Sequence, residues 1–527
     1  MSSRLGLAKN GEKGHDEDIL LVFLYEFMSS PVRVRFAPSP TGHLHVGGLR
    51  TALYNYLFAK KHGGEYILRI EDTDQKRLVP EAVEGLIACL EEVGVKHTEG
   101  VFLENGRIVE KGDFGPYIQS LRLPLYTQYA EELIASGKAY ACFCSAERLN
   151  DLRAEQNRRK EAPKYDKHCL KLTAEEREKL KAGGNPFVVR LNVPEHRGAV
   201  IFTDLVRGEV SFDSSDIDDQ VLMKSDGFPT YHLANVVDDY LMQITHVVRG
   251  EEWLPSTPKH VLLYEAFNWP LPIFAHLPLL LNPDKSKLSK RQGDVAVKDY
   301  MSKGYLSEAL VNFVALLGWN PGQGNTQEIF SLEELVASFT LENVHKSGAV
   351  FDLKKLDWMN AEYIKKLSVD ELYNRAQKYG HLDKEPLLSA PETMRTEEYL
   401  RRVLTVEQER LATLAEIGLH NPFFFTENVA YDPKLLNWKD NSVAMTKQAL
   451  EKASGILTEL NDIEWGNKEI LEKILLEAAG EKRGDFLWPL RVALTGAERS
   501  PSPFEVAWVL GKIESLKRLE KALYSLK

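Results

Sequence analysis

Residues 34–50 constrain the fold more than any other stretch. Val34-Arg35-Phe36-Ala37 alternates like a short strand, Pro38-Ser39-Pro40-Thr41-Gly42 is turn chemistry, and His45-Val46-Gly47-Gly48 leads into an apolar-periodic run that predicts a helix over 49–61. Strand, glycine-bearing turn and helix in that order aim backbone N–H groups and a positive helix end at an anion such as phosphate. Gly47 and Gly48 let a ligand approach the backbone closely, and His45 is placed to donate a ring N–H to a phosphate oxygen. The turn has a basic counterpart far downstream. Residues 282–294 are turn-rich and carry Lys285, Lys287, Lys290 and Arg291, four cations within seven residues.

The 527 residues suffice for three or four domains. A charged content of 27% with 43% hydrophobic residues is that of a globular protein. The net charge of −11 restricts any contact with RNA to a local basic face. Four cysteines argue against a disulfide scaffold and for a reducing compartment. The apolar run at 19–25 is too short to span a membrane. Glu12, Asp16, Glu17 and Asp18 argue against a transit peptide. Residues 1–30 are therefore expected to be an extension outside the packed core. The expected location is the cytoplasm, with a mitochondrial matrix as the alternative and no membrane association.

Downstream of the first helix, Arg69-Ile70-Glu71-Asp72-Thr73-Asp74 reads as a strand ending in carboxylates, followed by a helix over 81–93. Ligand crevices in doubly wound sheets lie at the carboxyl ends of strands, which places Glu71 to meet an amino group or a ribose. An amphipathic helix over 125–138 leads to Cys142-Phe143-Cys144. Residues 146–183, strongly charged and broken at Ala162-Pro163, interrupt the α/β rhythm like an insertion. Cys142, Cys144, Tyr165 and Cys169 offer a zinc site, with His168 as a substitute for the phenol, or are free thiols in a small packed domain. Cys89 reads as core. Residues 244–253 read as a strand ending in Arg249, and a helix starts near Ser256-Thr257-Pro258. An arginine buried at a strand end needs a carboxylate or phosphate partner. From about 370 onward helical runs alternate with short loops, three of them within 467–527.

Together, the two motifs resemble the paired signatures of class I aminoacyl-tRNA synthetases, His-x-Gly-His and Lys-Met-Ser-Lys-Ser. Here they read His45-Val46-Gly47-Gly48 and Lys287-Leu288-Ser289-Lys290-Arg291. Glycine at the fourth position of the first motif and the preceding Ala37-Pro38-Ser39-Pro40-Thr41-Gly42 resemble the glutamyl-tRNA synthetases in particular. The resemblance implies an α/β Rossmann-like catalytic domain with a parallel sheet, an inserted acceptor-binding domain and an all-α C-terminal half. The divisions expected are an extension (1–30), the first catalytic half (31–110), the insertion (111–222), the second catalytic half (223–290), a stem-contact helical domain (291–370) and a helical anticodon-binding domain (371–527). A helical C-terminal half separates this pattern from the glutaminyl relative, which ends in β-barrels.

The implied activity is ATP-dependent attachment of L-glutamate to tRNA(Glu) through glutamyl-adenylate, with release of AMP and pyrophosphate. The alternative is a non-discriminating enzyme that also charges tRNA(Gln). Carried onto matching positions, the resemblance assigns His45, Lys287 and Lys290 to catalysis. It assigns Gly47, Gly48, Glu252, Leu288, Ser289 and Arg291, with those three, to ATP. Arg35, Ala37, Ser39, Glu71, Tyr231, Asn235 and Arg249 are assigned to glutamate, with Arg35 reading its side-chain carboxylate. Arg410 is assigned to tRNA, whereas Arg401 and Arg402 read as surface ion pairs. Mg2+ is expected with ATP, with no all-protein metal site, and the chain is expected to be a monomer. Ile118 and Leu121 stand where the resemblance leads one to expect arginine and glutamate.

Overall fold

β1 (Arg33–Phe36) buries its last three residues. After the turn, α1 (Val46–Lys61) begins three residues before the periodicity indicates. The cause is His45, which stands at the N-cap and accepts from the Gly47 N–H through Nδ1 at 2.9 Å, satisfying a donor the first turn leaves open. The apolar face of α1, Leu49, Leu53 and Leu57, is fully buried. The computed structural model describes residues 31–195, 197–288, 296–322 and 324–526.

β2 (Glu65–Leu68) lies parallel to β1 and β3 (Glu99–Glu104) parallel to β2, with β4 (Arg107–Lys111) closing the edge as an antiparallel hairpin. The next span holds a three-stranded antiparallel sheet of β5 (Ala139–Cys142), β6 (Val188–Leu191) and β9 (Val221–Met223). Between β6 and β9 a hairpin of β7 (Ala199–Asp204) and β8 (Gly208–Asp213) leaves that sheet and pairs elsewhere. Then come α2 (Tyr231–Leu241), β10 (His246–Gly250), α3 (Thr257–Phe267) and β11 (Ile273–Leu277). β10 and β11 run parallel, and β7 joins them beyond β11. The Thr245 N–H donates to the Arg33 carbonyl at 3.0 Å, so β10 starts beside β1. From β1 the chain steps to β2 on one side, and from β10 to β11 on the other. That divergence opens a crevice at the carboxyl ends of β1 and β10.

The chain divides into two compact units. One runs to Lys298 and takes in Val311–Asp352; the other comprises Asp299–Leu310 and Leu353–Lys527. Among its described residues the second unit contains helices and no strand. The expected helical runs near the C-terminus are Lys468–Ala479, Arg483–Thr495 and Pro503–Ser525, and they bury Leu471, Leu475, Leu490 and Val506 in one core. Upstream of these, the helix Glu397–Glu407 ends before Arg410. The buried Glu407 carboxylate accepts from the Gly418 N–H at 2.9 Å and from Asn421 at 2.8 Å, holding the loop that follows. Arg410 therefore sits exposed in a 3-10 turn, Gln408–Arg410. Arg401 and Arg402 pair with Glu397 and Glu398 on their own helix, as their spacing indicates. Among the described residues no helix is long and apolar enough to cross a membrane.

Candidate active site

A cleft of about 920 Å³ lies at the strand ends where β1 and β10 diverge. The carboxyl end of β1 and its turn supply Arg35, Ala37 and Ser39, and the start of α1 supplies His45, Gly47 and Gly48. Glu71 follows β2, Tyr231 and Asn235 come from α2, and Arg249 and Glu252 come from the end of β10 and the turn after it. Lys287 is exposed, forms an isolated bridge with Leu281, and like Leu288 is not among the lining residues. Ser289, Lys290 and Arg291 lie outside the described residues.

His45 has a defined tautomer when neutral. Nδ1 accepts from Gly47, so the proton sits on Nε2. At the two glycines a side chain would be crowded, although neither has a positive φ. A Cβ on Gly47 would lie 3.3 Å from His45 Nδ1, and one on Gly48 3.1 Å from Leu44 Cδ1. The N–H groups of the first turn of α1 thus open onto the cleft wall beside an imidazole donor.

Beneath the wall lies a buried ion network the sequence did not indicate. Asp239 of α2 takes Arg35 with both oxygens, at 3.0 and 3.1 Å, and accepts from Arg69 at 2.7 Å. Arg69 also donates to Glu71 at 3.0 Å. Asp238 accepts from Arg122, Gln119 and Tyr126 at 2.7 to 2.9 Å. The Asn235 amide, with its oxygen toward the guanidinium groups, accepts from Arg35 and Arg69 at 3.2 Å. Burial alone raises all three carboxylates; at Asp239 it is outweighed by Arg35 and Arg69, which hold that group below the ordinary range. At Glu71 and Asp238 burial wins and both sit above it. Asp238 and Asp239 sit inside the apolar pattern of residues 233–241, and two adjacent acids in such a run were the one available signal.

Arg249 differs from Arg35. It is 4% exposed, and its donors go to Tyr231 Oη (2.9 Å), Thr257 Oγ1 (2.9 Å), His276 Nε2 (3.1 Å) and His260 Nδ1 (3.3 Å). All four acceptors are uncharged. Among the described residues no carboxylate forms an ion pair with Arg249. Arg35, Arg69 and Arg122 are matched by Glu71, Asp238 and Asp239, so Arg249 is the surplus buried cation of the cleft. Trp253, which sequence reasoning did not single out, also lines the cleft and lies against the Tyr231 ring at 4.2 Å.

A second cluster lies at the end of β5. The Sγ atoms of Cys142, Cys144 and Cys169 lie within 4.8 Å of one another. Tyr165 Oη is 3.3 Å from both Cys142 Sγ and Cys144 Sγ. His168 is exposed and does not join the cluster, so it is not the alternative to Tyr165. Cys89 stands apart, and burial raises its thiol to about 12.

Residues 31–358 match the family described as tRNA synthetases class I (E and Q), catalytic domain, and residues 371–523 match an anticodon binding domain. The parallel strands and the cleft at their carboxyl ends thus belong to the catalytic domain of a class I aminoacyl-tRNA synthetase. The glutamate–tRNA ligase of Clostridioides difficile is 48% identical over 492 residues, spanning 93% of this chain and 98% of that one. That of Alkaliphilus metalliredigens is 49% identical, spanning 92% and 97%. A crystal structure of a glutamate tRNA ligase from Elizabethkingia meningosepticum in complex with its amino acid superposes with a TM-score of 0.82 at 36% identity, covering 94% of this chain and all of that one. This chain belongs to the glutamate–tRNA ligase family and is an enzyme of the ligase class.

Proposed function

We propose that the protein activates L-glutamate with ATP and transfers it to tRNA(Glu). The amino acid's α-carboxylate attacks the α-phosphorus of ATP, forming glutamyl-adenylate and releasing pyrophosphate. The terminal ribose hydroxyl of the tRNA then takes the acyl group and AMP leaves. Neither step needs a protein nucleophile, so catalysis rests on positioning and on stabilising charge that builds on phosphate oxygens. His45 and the N-terminus of α1 are assigned to those oxygens. Lys287, Lys290 and Arg291 are assigned to the β- and γ-phosphates on their motif alone. Mg2+ accompanies the triphosphate, Glu252 orients the ribose, and Glu71 with Ser39 holds the amino group. Arg410, exposed at a helix end, is assigned to tRNA.

The observation that carries this reading is the unmatched charge of Arg249. A cleft already balanced by three buried ion pairs gains one further cation, and the ligand that completes it is anionic. With Arg249 assigned to the side-chain carboxylate, glutamine would leave the guanidinium without a counter-charge, and sites built on such a pair reject the uncharged analogue strongly. Arg35, tied to Asp239, is assigned to shape the pocket beside Arg249 rather than to read the side chain alone. The test is pyrophosphate–ATP exchange in the presence of tRNA(Glu), with glutamate and with glutamine. Exchange with glutamate alone is expected, and equal exchange with both would overturn the assignment. Charging assays with tRNA(Glu) and tRNA(Gln) decide whether the enzyme discriminates.

The thiol cluster supports one structural zinc. Tetrahedral thiolate zinc sets its sulfurs about 3.8 Å apart, and Cys144 and Cys169 are 3.5 Å apart here. Cys142, Cys144, Cys169 and Tyr165 would hold the ion and pin the loop at 165–169 to β5. One bound zinc per chain by elemental analysis is expected, with thiolate-to-metal bands after cobalt exchange that vanish in Cys169→Ser. A metal-free chain purified with zinc present would refute this.

A further inference from the structure

We infer that Asp204, His276 and Thr257 are positioning residues that aim Arg249 at the amino acid while leaving its charge uncompensated, an inference that rests on glutamate being the anion bound beside Arg249. Three neighbouring strands carry the set. Arg249 on β10 and His276 on β11 are register partners, and Asp204 ends β7 on the far side of β11. Asp204 Oδ2 lies 2.6 Å from His276 Nδ1, and both side chains are fully buried. The amides of Val206, Arg207 and His276 also donate to Asp204, at 2.8 to 3.0 Å. A carboxylate so supplied stays ionised and fixes the His276 proton on Nδ1.

Nε2 of His276 then has only a lone pair to offer, and it receives Arg249 Nε–H at 3.1 Å. Thr257 Oγ1 accepts from Arg249 Nη2 at 2.9 Å and reaches His276 Nε2 at 3.1 Å, so the hydroxyl closes the triangle. Burial lowers His276 to about 4, so the ring is neutral in the physiological range. The negative charge of Asp204 is thus kept one imidazole away from the guanidinium. A carboxylate touching Arg249 would have cancelled the charge the ligand needs, as Asp239 does for Arg35. The arrangement fixes orientation without neutralisation.

Asp204→Asn tests this at almost constant volume. Its Oδ1 still serves Val206 and Arg207, but its amide nitrogen faces His276 Nδ1 and turns the proton to Nε2, where it meets Arg249 Nε–H. His276→Phe and Thr257→Val each remove the contact without a change of charge. His276→Gln keeps an acceptor near the Nε2 position. In tRNA-supported exchange, glutamate KM is expected to rise about ten- to hundred-fold in Asp204→Asn and His276→Phe. In Thr257→Val it is expected to rise about five-fold. ATP KM should stay within about two-fold of wild type, and His276→Gln should recover most of the loss. Glutamate KM unchanged in Thr257→Val and in either of the other two overturns the inference, as does an equal rise in both substrates' KM. If the wild-type chain fails to exchange with glutamate, it is the glutamate reading that falls instead.

Discussion

Arg69→Met should destabilise the catalytic unit more than any other single replacement in it, by at least about 4 kcal/mol. Arg69 is fully buried and bridges Asp239 at 2.7 Å and Glu71 at 3.0 Å, with Asp238 at 3.9 Å. Burial works against its charge, but those three carboxylates hold its pKa well above the ordinary value. Methionine of similar length fills the space and leaves three buried carboxylates with two counter-charges, Arg35 and Arg122. Removing one partner of a buried pair is costly because the other charge stays behind unpaired. Arg69→Lys should recover only part, since one ammonium cannot span two carboxylates as the guanidinium fork does. Urea unfolding followed by circular dichroism checks this. A midpoint for Arg69→Met equal to wild type would show that the network does not hold the unit together. Adding Asp239→Asn to Arg69→Met should restore part of the loss, because the pair is coupled.

Why Arg69 escaped the sequence while Arg249 did not is a matter of distance along the chain. Strand–turn–helix segments are local, and 34–50 declared its fold and its ligand-facing end through turn residues and periodicity. The residues that the resemblance carried to the amino acid, Ser39, Glu71, Tyr231 and Arg249 among them, line one cleft, since doubly wound sheets gather their carboxyl strand ends. Which charges meet is not local. Arg35 and Asp239 are 204 residues apart, and no pattern in either neighbourhood names the other. The resemblance assigned Arg35 to the substrate carboxylate, and nothing near it in the chain announced that Asp239 takes its Nε and Nη2 edge. Asp204 and His276 were hidden for a similar reason: each sits singly at a strand end or inside a strand, where apolar neighbours read as core. The start of α1 was missed by three residues because the cap is a histidine, which is not among the preferred capping types.

That histidine carries two roles which a pair of substitutions separates. Nδ1 caps α1 through the Gly47 N–H, and the ring lines the cleft with its neutral-form proton on Nε2. His45→Ala removes both and is expected to cost about 1 kcal/mol of stability for the lost cap. Its glutamate-dependent exchange is expected to fall about 10²- to 10³-fold, as for loss of one preorganised donor at a developing oxyanion. Asparagine is a strong N-cap residue, and its carbonyl oxygen can take the Gly47 N–H in place of Nδ1, yet it is too short to present a donor at the Nε2 position. His45→Asn is therefore expected to unfold at the wild-type urea midpoint and still exchange as slowly as the alanine variant, with the loss in kcat rather than in glutamate KM. Exchange by His45→Asn at the wild-type rate would reduce His45 to a helix cap, and the phosphate would then be held by the backbone of α1 and the basic loop alone.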